Sequence, residues 1–519
     1  MLDSRAPVTH RGRMFKKILS VGGWTLVSRV TGFVRDVVMA AIMGAGPITD
    51  AFVVAFKLPN HFRQIFGEGA FTAAFVPTYG RINETGGAAR AAAFANRVFT
   101  LMLAIQAVLL VGALAAMPAF VSVLAPGLKP DVFELAVTLT RITFGYLLLI
   151  TLVTLISAVL NARDRFWAAA AAPILLNLSM IAMLAAAYLF PTAGHAAAAG
   201  VLISGVLQLI LVWWDAGRAG LAPRLANPRG DPEMGGFFKR LGPAIIGSAG
   251  IQIAMFADTI IASLLPTGAL SSLYYAERLY QLPLGVVGIA AGTVLLPAMS
   301  RLVAAGNPAG AHEAQNRAVG FTLALAAPCA VAFLIVPDLV MTALFQRGAF
   351  DAAAASRAGE VLAAYAVGLP AAVIIRSVTA SFYSRGDTTT PLWASLAGYG
   401  VNIALKLVLI GPFGVAGLAL ATSIGAWINV GVLWLLAIRR DLAAPSPALL
   451  KTLVAIVIGC SALALLAIFA RQPIATALAP VGWLRDLGTL GVLGLAGLVL
   501  YGAALALCLR LMGVRLRRA

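Results

Sequence analysis

Long apolar runs alternate along this chain with short connections rich in Gly, Pro and Arg. The runs are apolar on every side. They lack the period-two alternation of a half-buried strand and the single stripe of a surface helix. A bilayer core of about 30 Å needs roughly 20 such residues in helical form, whereas a membrane β-strand needs about 10 with alternating polarity. With Pro, Gly and charge as boundaries, the pattern predicts fourteen helices at approximately 16–43, 50–79, 92–118, 133–160, 167–190, 195–217, 240–264, 271–300, 317–344, 358–384, 390–411, 414–438, 448–470 and 485–510. The expected fold class is therefore an all-α polytopic membrane protein.

Composition sharpens this. Of 519 residues, 61% are hydrophobic and 11% charged, against about 45–50% and 25% in soluble domains. A single water-soluble core and a disordered chain are both excluded. Three cysteines exclude a disulfide scaffold. The net charge of +18 would suggest nucleic acid in a soluble protein. In a membrane protein it reports cytoplasmic loops over anionic lipid, so membrane lipids are the expected partners and nucleic acid is not. The loops also orient the chain. Of the 38 Lys and Arg, 25 fall in connections on one side and five on the other, the five being Lys129, Arg347, Arg357, Arg471 and Arg485. That asymmetry places both termini in the cytoplasm. The first helix is too long for a cleaved signal and contains Arg29 and Arg35. Met14 opens Met-Phe-Lys-Lys-Ile-Leu, so residues 1–13 read as an amino-terminal extension.

The two halves resemble each other. Phe75-Val76-Pro77 with Arg81 matches Leu295-Leu296-Pro297 with Arg301, Arg163 matches Arg385, and Ala199-Gly200 matches Ala416-Gly417, at nearly constant offset. A repeat of six helices returns to the same side, which implies two parallel lobes with a substrate site between them. The expected organisation is a first lobe at 14–217, a cytoplasmic linker at 218–239, a second lobe at 240–440, and two additional helices within 441–519.

Eight Lys and Arg fall inside the expected spans: Arg29, Arg35, Lys57, Arg63, Arg141, Arg278, Arg376 and Lys406. The embedded acids are Asp36, Glu68, Asp258 and Glu277, with Asp50 at an outer boundary. Each charge costs about 2.5–3.5 kcal/mol at a helix centre on insertion scales. The first two spans hold four cations against Asp36 and Glu68. Arg29 and Asp36, seven apart, share a helix face, so Arg35 is expected to need another partner. A surplus of buried cation is stable only against water or a counter-anion. The pattern therefore predicts a water-filled cavity that receives an anion, and Arg suits phosphate because its planar fork binds two oxygens. The structural alternative is that such charges are staples or snorkel from span ends, as Lys57 near the outer third is placed to do. Pro59, Pro283 and the Gly67-Glu68-Gly69 stretch suit helices that bend or line a cavity.

No Gly-x-x-x-x-Gly-Lys-Ser/Thr loop occurs, and no soluble segment is long enough for a nucleotide-binding domain. His10, His61, His195 and His312 are mutually remote, without metal-site spacing. No acid–base constellation sits on an extramembrane loop. No catalytic residue and no metal are expected: the reading is a transporter, not an enzyme.

At these charged spans the chain resembles the lipid II flippases, called MurJ or MviN, of the multidrug/oligosaccharidyl-lipid/polysaccharide exporter superfamily. The stretches that carry the likeness are SRVTGFVRD (28–36), TDAFVVAFKLPNHFRQIFGEGAFTAAFVP (49–77), GPAI (242–245), YYAERLYQLPLGVVG (274–288), LFQRGAF (344–350) and FYSRGDTTTP (382–391). The resemblance implies a multi-pass protein of the bacterial cytoplasmic (inner) membrane. Its implied substrate is lipid II, undecaprenyl-pyrophosphoryl-MurNAc-pentapeptide-GlcNAc, moved from the inner to the outer leaflet by alternating access for cell-wall synthesis. It maps the family's cavity residues onto Arg29, Arg35, Arg63 and Arg278, expected at the pyrophosphate, with Asp36, Asp50 and Glu68 as supporting cavity or gate residues, and the last two helices onto the lipid tail; the embedded-charge pattern adds Lys57 and Glu277 as further supporting candidates. The resemblance names the cell-wall synthesis machinery as a candidate partner. This chain departs from the family in carrying Gln64 after Arg63 and Gln281 where some members have an acid. Competing readings are a related exporter of another polyprenyl-linked glycan or of drugs, and a membrane enzyme acting on lipid-linked sugars. Helices 13 and 14 argue against a twelve-span drug exporter.

No cofactor is expected; the implied driving force is the membrane potential, with a coupling cation as a candidate aid. Some relatives use sodium held by the second lobe, and the matching region here is Asp258, Asn402 and Thr422. Lys406 lies one turn from Asn402, where its ammonium would stand in for the ion, so weak or absent sodium dependence is expected.

Overall fold

A computed structural model of the chain describes residues 7–63, 70–228, 232–290 and 295–514. Every element among them is helical. The chain divides into two compact units, Met1–Leu270 and Ser271–Ala519.

The first unit contains α1 (Pro7–Met43), α2 (Pro47–Arg63), α3 (Ala70–Leu124), α4 (Pro130–Ala162), α5 (Trp167–Ala185), α6 (Ala193–Arg218) and α7 (Pro232–Ser263). α8 (Ala269–Ala290) begins at the boundary. The second unit continues with α9 (Leu296–Ala304), α10 (Pro308–Ile335), α11 (Pro337–Phe345), α12 (Ala352–Tyr383), α13 (Thr389–Arg439), α14 (Pro447–Ala477) and α15 (Arg485–Leu511).

Among the described residues, nine helices are long and apolar enough to cross a membrane. α1, α2, α7 and α8 are not among the nine, and each carries an embedded ionisable residue: Arg29, Arg35 and Asp36; Asp50, Lys57 and Arg63; Asp258; Glu277 and Arg278. α3 and α13 each contain one break, at Gly87 (φ 78°, ψ 170°) and Gly414 (φ 52°, ψ −129°). Positive φ at these points is open to Gly and strained for other residues. The breaks fall where the apolar pattern separates the second helix from the third and the eleventh from the twelfth.

Several expected boundaries move. α1 extends back to Pro7, through part of the expected extension. The expected ninth helix, 317–344, is two elements, because Pro337 has no N–H to continue α10 and instead opens α11. The expected second and eighth helices each include a stretch outside the described residues, 64–69 and 291–294, and Glu68 lies in the first of these.

α7 packs in the first unit. The Phe237 ring meets Phe71, Phe75 and Phe94 edge-on at 6.0, 6.5 and 6.1 Å, and Arg240 donates to Thr78 Oγ1 at 3.0 Å. At its other end Ser263 Oγ accepts from the Gly127 N–H at 3.2 Å. The first compact unit thus includes α7 and runs to Leu270.

Prolines inside these helices free carbonyls that neighbouring helices capture. Pro59 leaves the Ala55 carbonyl without its helical donor, and Thr143 on α4 donates to it at 2.7 Å. Pro328 does the same to Ala324, whose carbonyl accepts from Tyr501 of α15 at 2.8 Å. The Tyr501 ring lies against Gly459 of α14, where a Cβ would come within 2.9 Å of it. One tyrosine therefore fastens both added helices to α10.

The turns after α4 and α12 are built alike. Asp164 (φ 62°) and Gly386 (φ 80°) are left-handed at matching positions. The next residue pairs with the end of the helix that closes each lobe: Arg165 with Asp215, and Asp387 with Arg440 at 3.0 Å. The ion pair recurs with its signs exchanged. The Thr390 N–H and hydroxyl, the Thr389 N–H and the Arg440 guanidinium hold the Asp387 carboxyl below the usual carboxylate range. A depressed folded-state pKa adds stability above the unfolded value of about 3.9, lost as pH falls through the folded value. Asp387→Ala is expected to melt earlier than the parent protein at pH 7, with the gap narrowing as pH falls below about 3.9. An undiminished gap there contradicts this role.

Candidate functional site

The SRVTGFVRD stretch is the middle of α1, and its charges divide in two. Arg29 is exposed, and among the described residues it forms no ion pair. Arg35 and Asp36 are buried, at 6% and 3% exposure. One Asp36 oxygen, Oδ1, accepts from Arg35 Nε at 3.1 Å and from Nη2 at 2.7 Å. Arg35 Nη1 donates to Asn177 Oδ1 of α5 at 3.0 Å, and the guanidinium lies 5.8 Å from the Phe56 ring centroid. This corrects the expectation that Arg35 points away from Asp36 and needs another partner. Adjacent helical side chains leave the axis about 100° apart, but the arginine stem is long enough to fold back over its neighbour.

Asp50 is buried near the start of α2. Its Oδ2 accepts from the Gly268 N–H at 2.6 Å, where Gly268 is left-handed (φ 96°). A cavity of about 60 Å³ borders Asp50, Lys129 and Ser263. Asp50 thus holds the 264–268 turn against the first unit rather than presenting a free carboxylate. Lys57 is half-buried on α2. Arg63 ends that helix, and its side chain, like Glu68, lies outside the described residues. A larger cavity, about 260 Å³, opens among α2, α4, α5 and α6. Asn60, Tyr146, Thr154, Ser157 and Gln208 supply its polar lining, and Pro59 and Pro173 its bends.

In the second unit, Glu277 and Arg278 are neighbours that partner along α8 in opposite directions. Glu277 Oε1 accepts from Gln281 at 2.8 Å. The Arg278 guanidinium stands 4.7 Å from the Tyr274 ring centroid. Gln281, the position that departs from the family, is thus the hydrogen-bond donor to Glu277. Asn402 and Lys406 are buried one turn apart on α13. Asn402 Oδ1 has no hydrogen-bond partner among the described residues. The Thr422 hydroxyl donates to its own helix at the Leu418 carbonyl, 3.0 Å. Asp258 is half-buried on α7 in the first unit.

The structure therefore brings together Arg35 and Asp36, and separately Asn402 and Lys406. It leaves Arg29 open. The sequence reading missed Asn177, Gly268 and Tyr274. Asn177 had a signal: one amide in an otherwise apolar run, Ile-Leu-Leu-Asn-Leu-Ser-Met, needs a partner to offset its desolvation.

Comparison with known proteins matches this geometry to a family. Residues 39–484 match the family described as lipid II flippase MurJ. A probable lipid II flippase MurJ of Rhizobium meliloti is 40% identical over 428 residues, 81% of this chain and 80% of the relative. A lipid II flippase MurJ of Burkholderia cenocepacia is 35% identical over 456 residues, 86% and 87% of the two chains. Among solved structures, a lipid II flippase MurJ in an inward closed conformation superposes with a TM-score of 0.79 at 24% identity, covering 95% of this chain and 99% of that one. An inward-facing multidrug transporter of the MATE family superposes at 0.68 with 16% identity, covering 82% and 96%. Likenesses at that identity speak for the fold; the sequence relatives speak for the lineage. A match that runs through both compact units at up to 40% identity is no accident of apolar composition, and this chain belongs to the MurJ family of lipid II flippases.

Proposed function

We propose that this protein carries lipid II from the cytoplasmic to the periplasmic leaflet of the bacterial inner membrane by alternating access, with the pyrophosphate held by α1. The observation that carries this reading is an exposed Arg29 on a helix whose Arg35 and Asp36 already satisfy each other. A guanidinium without a carboxylate partner among the described residues suits a diphosphate. Arg63 and Arg278 complete the anion site, Asp50, Glu68 and Glu277 serve the gates, and Lys57 reaches toward the outer surface. The chain crosses the bilayer fourteen times with both ends cytoplasmic, as two six-helix lobes and two helices for the polyprenyl tail. It serves peptidoglycan synthesis beside the enzymes that consume lipid II.

The test is reconstitution into sealed vesicles with labelled lipid II and leaflet-specific detection. Transfer to the far leaflet that depends on the protein, with no chemical change in the lipid, supports a transporter. A new product formed in detergent, where no leaflets exist, identifies an enzyme instead.

Lys406 serves as a built-in cation for the region of Asp258, Asn402 and Thr422. Its buried ammonium one turn from Asn402 supports this reading. Transport is therefore expected to proceed equally in sodium and in choline buffers. A strong sodium requirement in the unmutated protein contradicts it. If Lys406 and Asp258 are merely a structural pair, replacing both by apolar residues leaves transport unharmed.

A further inference from the structure

One face of α1 within SRVTGFVRD converges on one residue of α5. Ser28, Thr31, Gly32 and Arg35 recur at helical spacing, so they lie along one face of α1. Asn177 sits opposite all four and is 5% exposed. Its Nδ2 donates to the Ser28 carbonyl at 3.0 Å and to Thr31 Oγ1 at 3.1 Å. Its Oδ1 accepts from Arg35 Nη1 at 3.0 Å. Gly32 supplies the flat spot: a Cβ there would stand 3.4 Å from Asn177 Nδ2.

The amide has one permitted orientation. The Thr31 hydroxyl hydrogen is directed at carbonyls of its own helix, Val27 at 2.9 Å and Ser28 at 3.1 Å. Its oxygen is therefore an acceptor toward α5. Turned over, the Asn177 amide would set its NH₂ against the guanidinium and its oxygen against the Ser28 carbonyl, two donor–donor and acceptor–acceptor clashes. Both ends of the side chain are thus specified by α1.

We infer that Asn177 is a positioning residue for headgroup binding: it holds the Arg35–Asp36 pair closed and fixes the rotation of α1 about its axis, so that Arg29 faces away from α5 and toward the substrate. The geometry gives two consequences. Tethering Nη1 keeps Nε and Nη2 on Asp36, so the pair stays neutral and buried, and Arg35 acts through this brace. Anchoring the Ser28 carbonyl sets the direction of the next residue, Arg29, about 100° around the helix. Without the anchor, α1 can turn, and the one uncommitted cation of the stretch loses its aim. Asp cannot replace Asn177, because a carboxylate would face the Ser28 carbonyl and present Arg35 with a second anion.

This rests on the flippase reading above, and the experiment separates the two. Lipid II affinity in detergent, lipid II transfer in vesicles and the melting temperature are measured for the parent protein, Asn177→Leu, Asn177→Asp, Arg29→Ala and the double variant Asn177→Leu/Arg29→Ala. Parent protein that neither binds nor moves lipid II defeats the flippase reading itself. Given a working parent, Asn177→Leu and Asn177→Asp are each expected to bind lipid II roughly 10- to 100-fold more weakly, the range for removing a hydrogen bond to a charged group. The double variant is expected to be no weaker than Arg29→Ala alone, because the two losses pass through one contact. A lowered melting temperature with parental affinity in the folded fraction overturns the proposal, as does a double variant whose losses multiply. If Asn177→Leu does not fold, Asn177→Asp, of the same size, decides: parental affinity overturns the proposal and a loss upholds it.

Discussion

Asp36→Ala is expected to lower the melting temperature of the purified protein by roughly 6–20 °C. The cause is not the lost attraction but the cation left behind. Arg35 is buried, and Asp36 takes two of its hydrogen bonds. Removing one partner of a buried pair typically costs about 3–5 kcal/mol, and each kcal/mol moves the midpoint of a domain of this size by about 2–4 °C. Asp36→Asn keeps an acceptor and is expected to recover part of the loss. Arg35→Leu/Asp36→Leu removes both charges and is expected to be more stable than Asp36→Ala, since an apolar pair of similar volume is close to neutral in such a place. If Asp36→Ala melts with the parent protein, the pair is not the closed unit described here, and Arg35 has water or another anion beside it.

The second large effect comes from the membrane potential. Moving one negative charge outward across a negative-inside membrane is favoured by about 2.3 kcal/mol per 100 mV. A lipid diphosphate with two net charges gains about 4.6 kcal/mol, some three orders of magnitude in its distribution between leaflets. In vesicles holding such a potential, labelled lipid II is expected to accumulate in the leaflet facing the positive side. Reversing the potential is expected to reverse the direction, and collapsing it to leave equal leaflets. Accumulation against the potential would require another energy source, and a distribution indifferent to it would mean that the headgroup crosses with its charge compensated.

The fold was legible in the sequence wherever one physical requirement dominated. Apolar length set the helices, because a bilayer allows few other solutions. Gly87 and Gly414 mark real breaks, since their conformations are ones that other residues avoid. Pro337 shows the limit: an apolar run continues past it, but the missing N–H divides the run into α10 and α11. The charges in α1 stood out because each is costly in an apolar span. Their pairing did not. Helical spacing puts Arg29 and Asp36 on one face, whereas the flexible arginine stem joins Arg35 to Asp36, its own neighbour. Asn177 lies 142 positions from Arg35, and no local pattern connects them. Nor does hydropathy disclose that α7 packs in the first unit, because that depends on where the Phe237 ring lodges.

The central claim is an anion site at Arg29 and Arg63. Its most direct measurement is the rate of lipid II transfer in vesicles by the parent protein, Arg29→Ala and Arg63→Ala, each confirmed as folded. Both substitutions are predicted to slow transfer by roughly 10- to 100-fold, the loss of a charge-assisted contact to phosphate. Equal rates for all three proteins would contradict it.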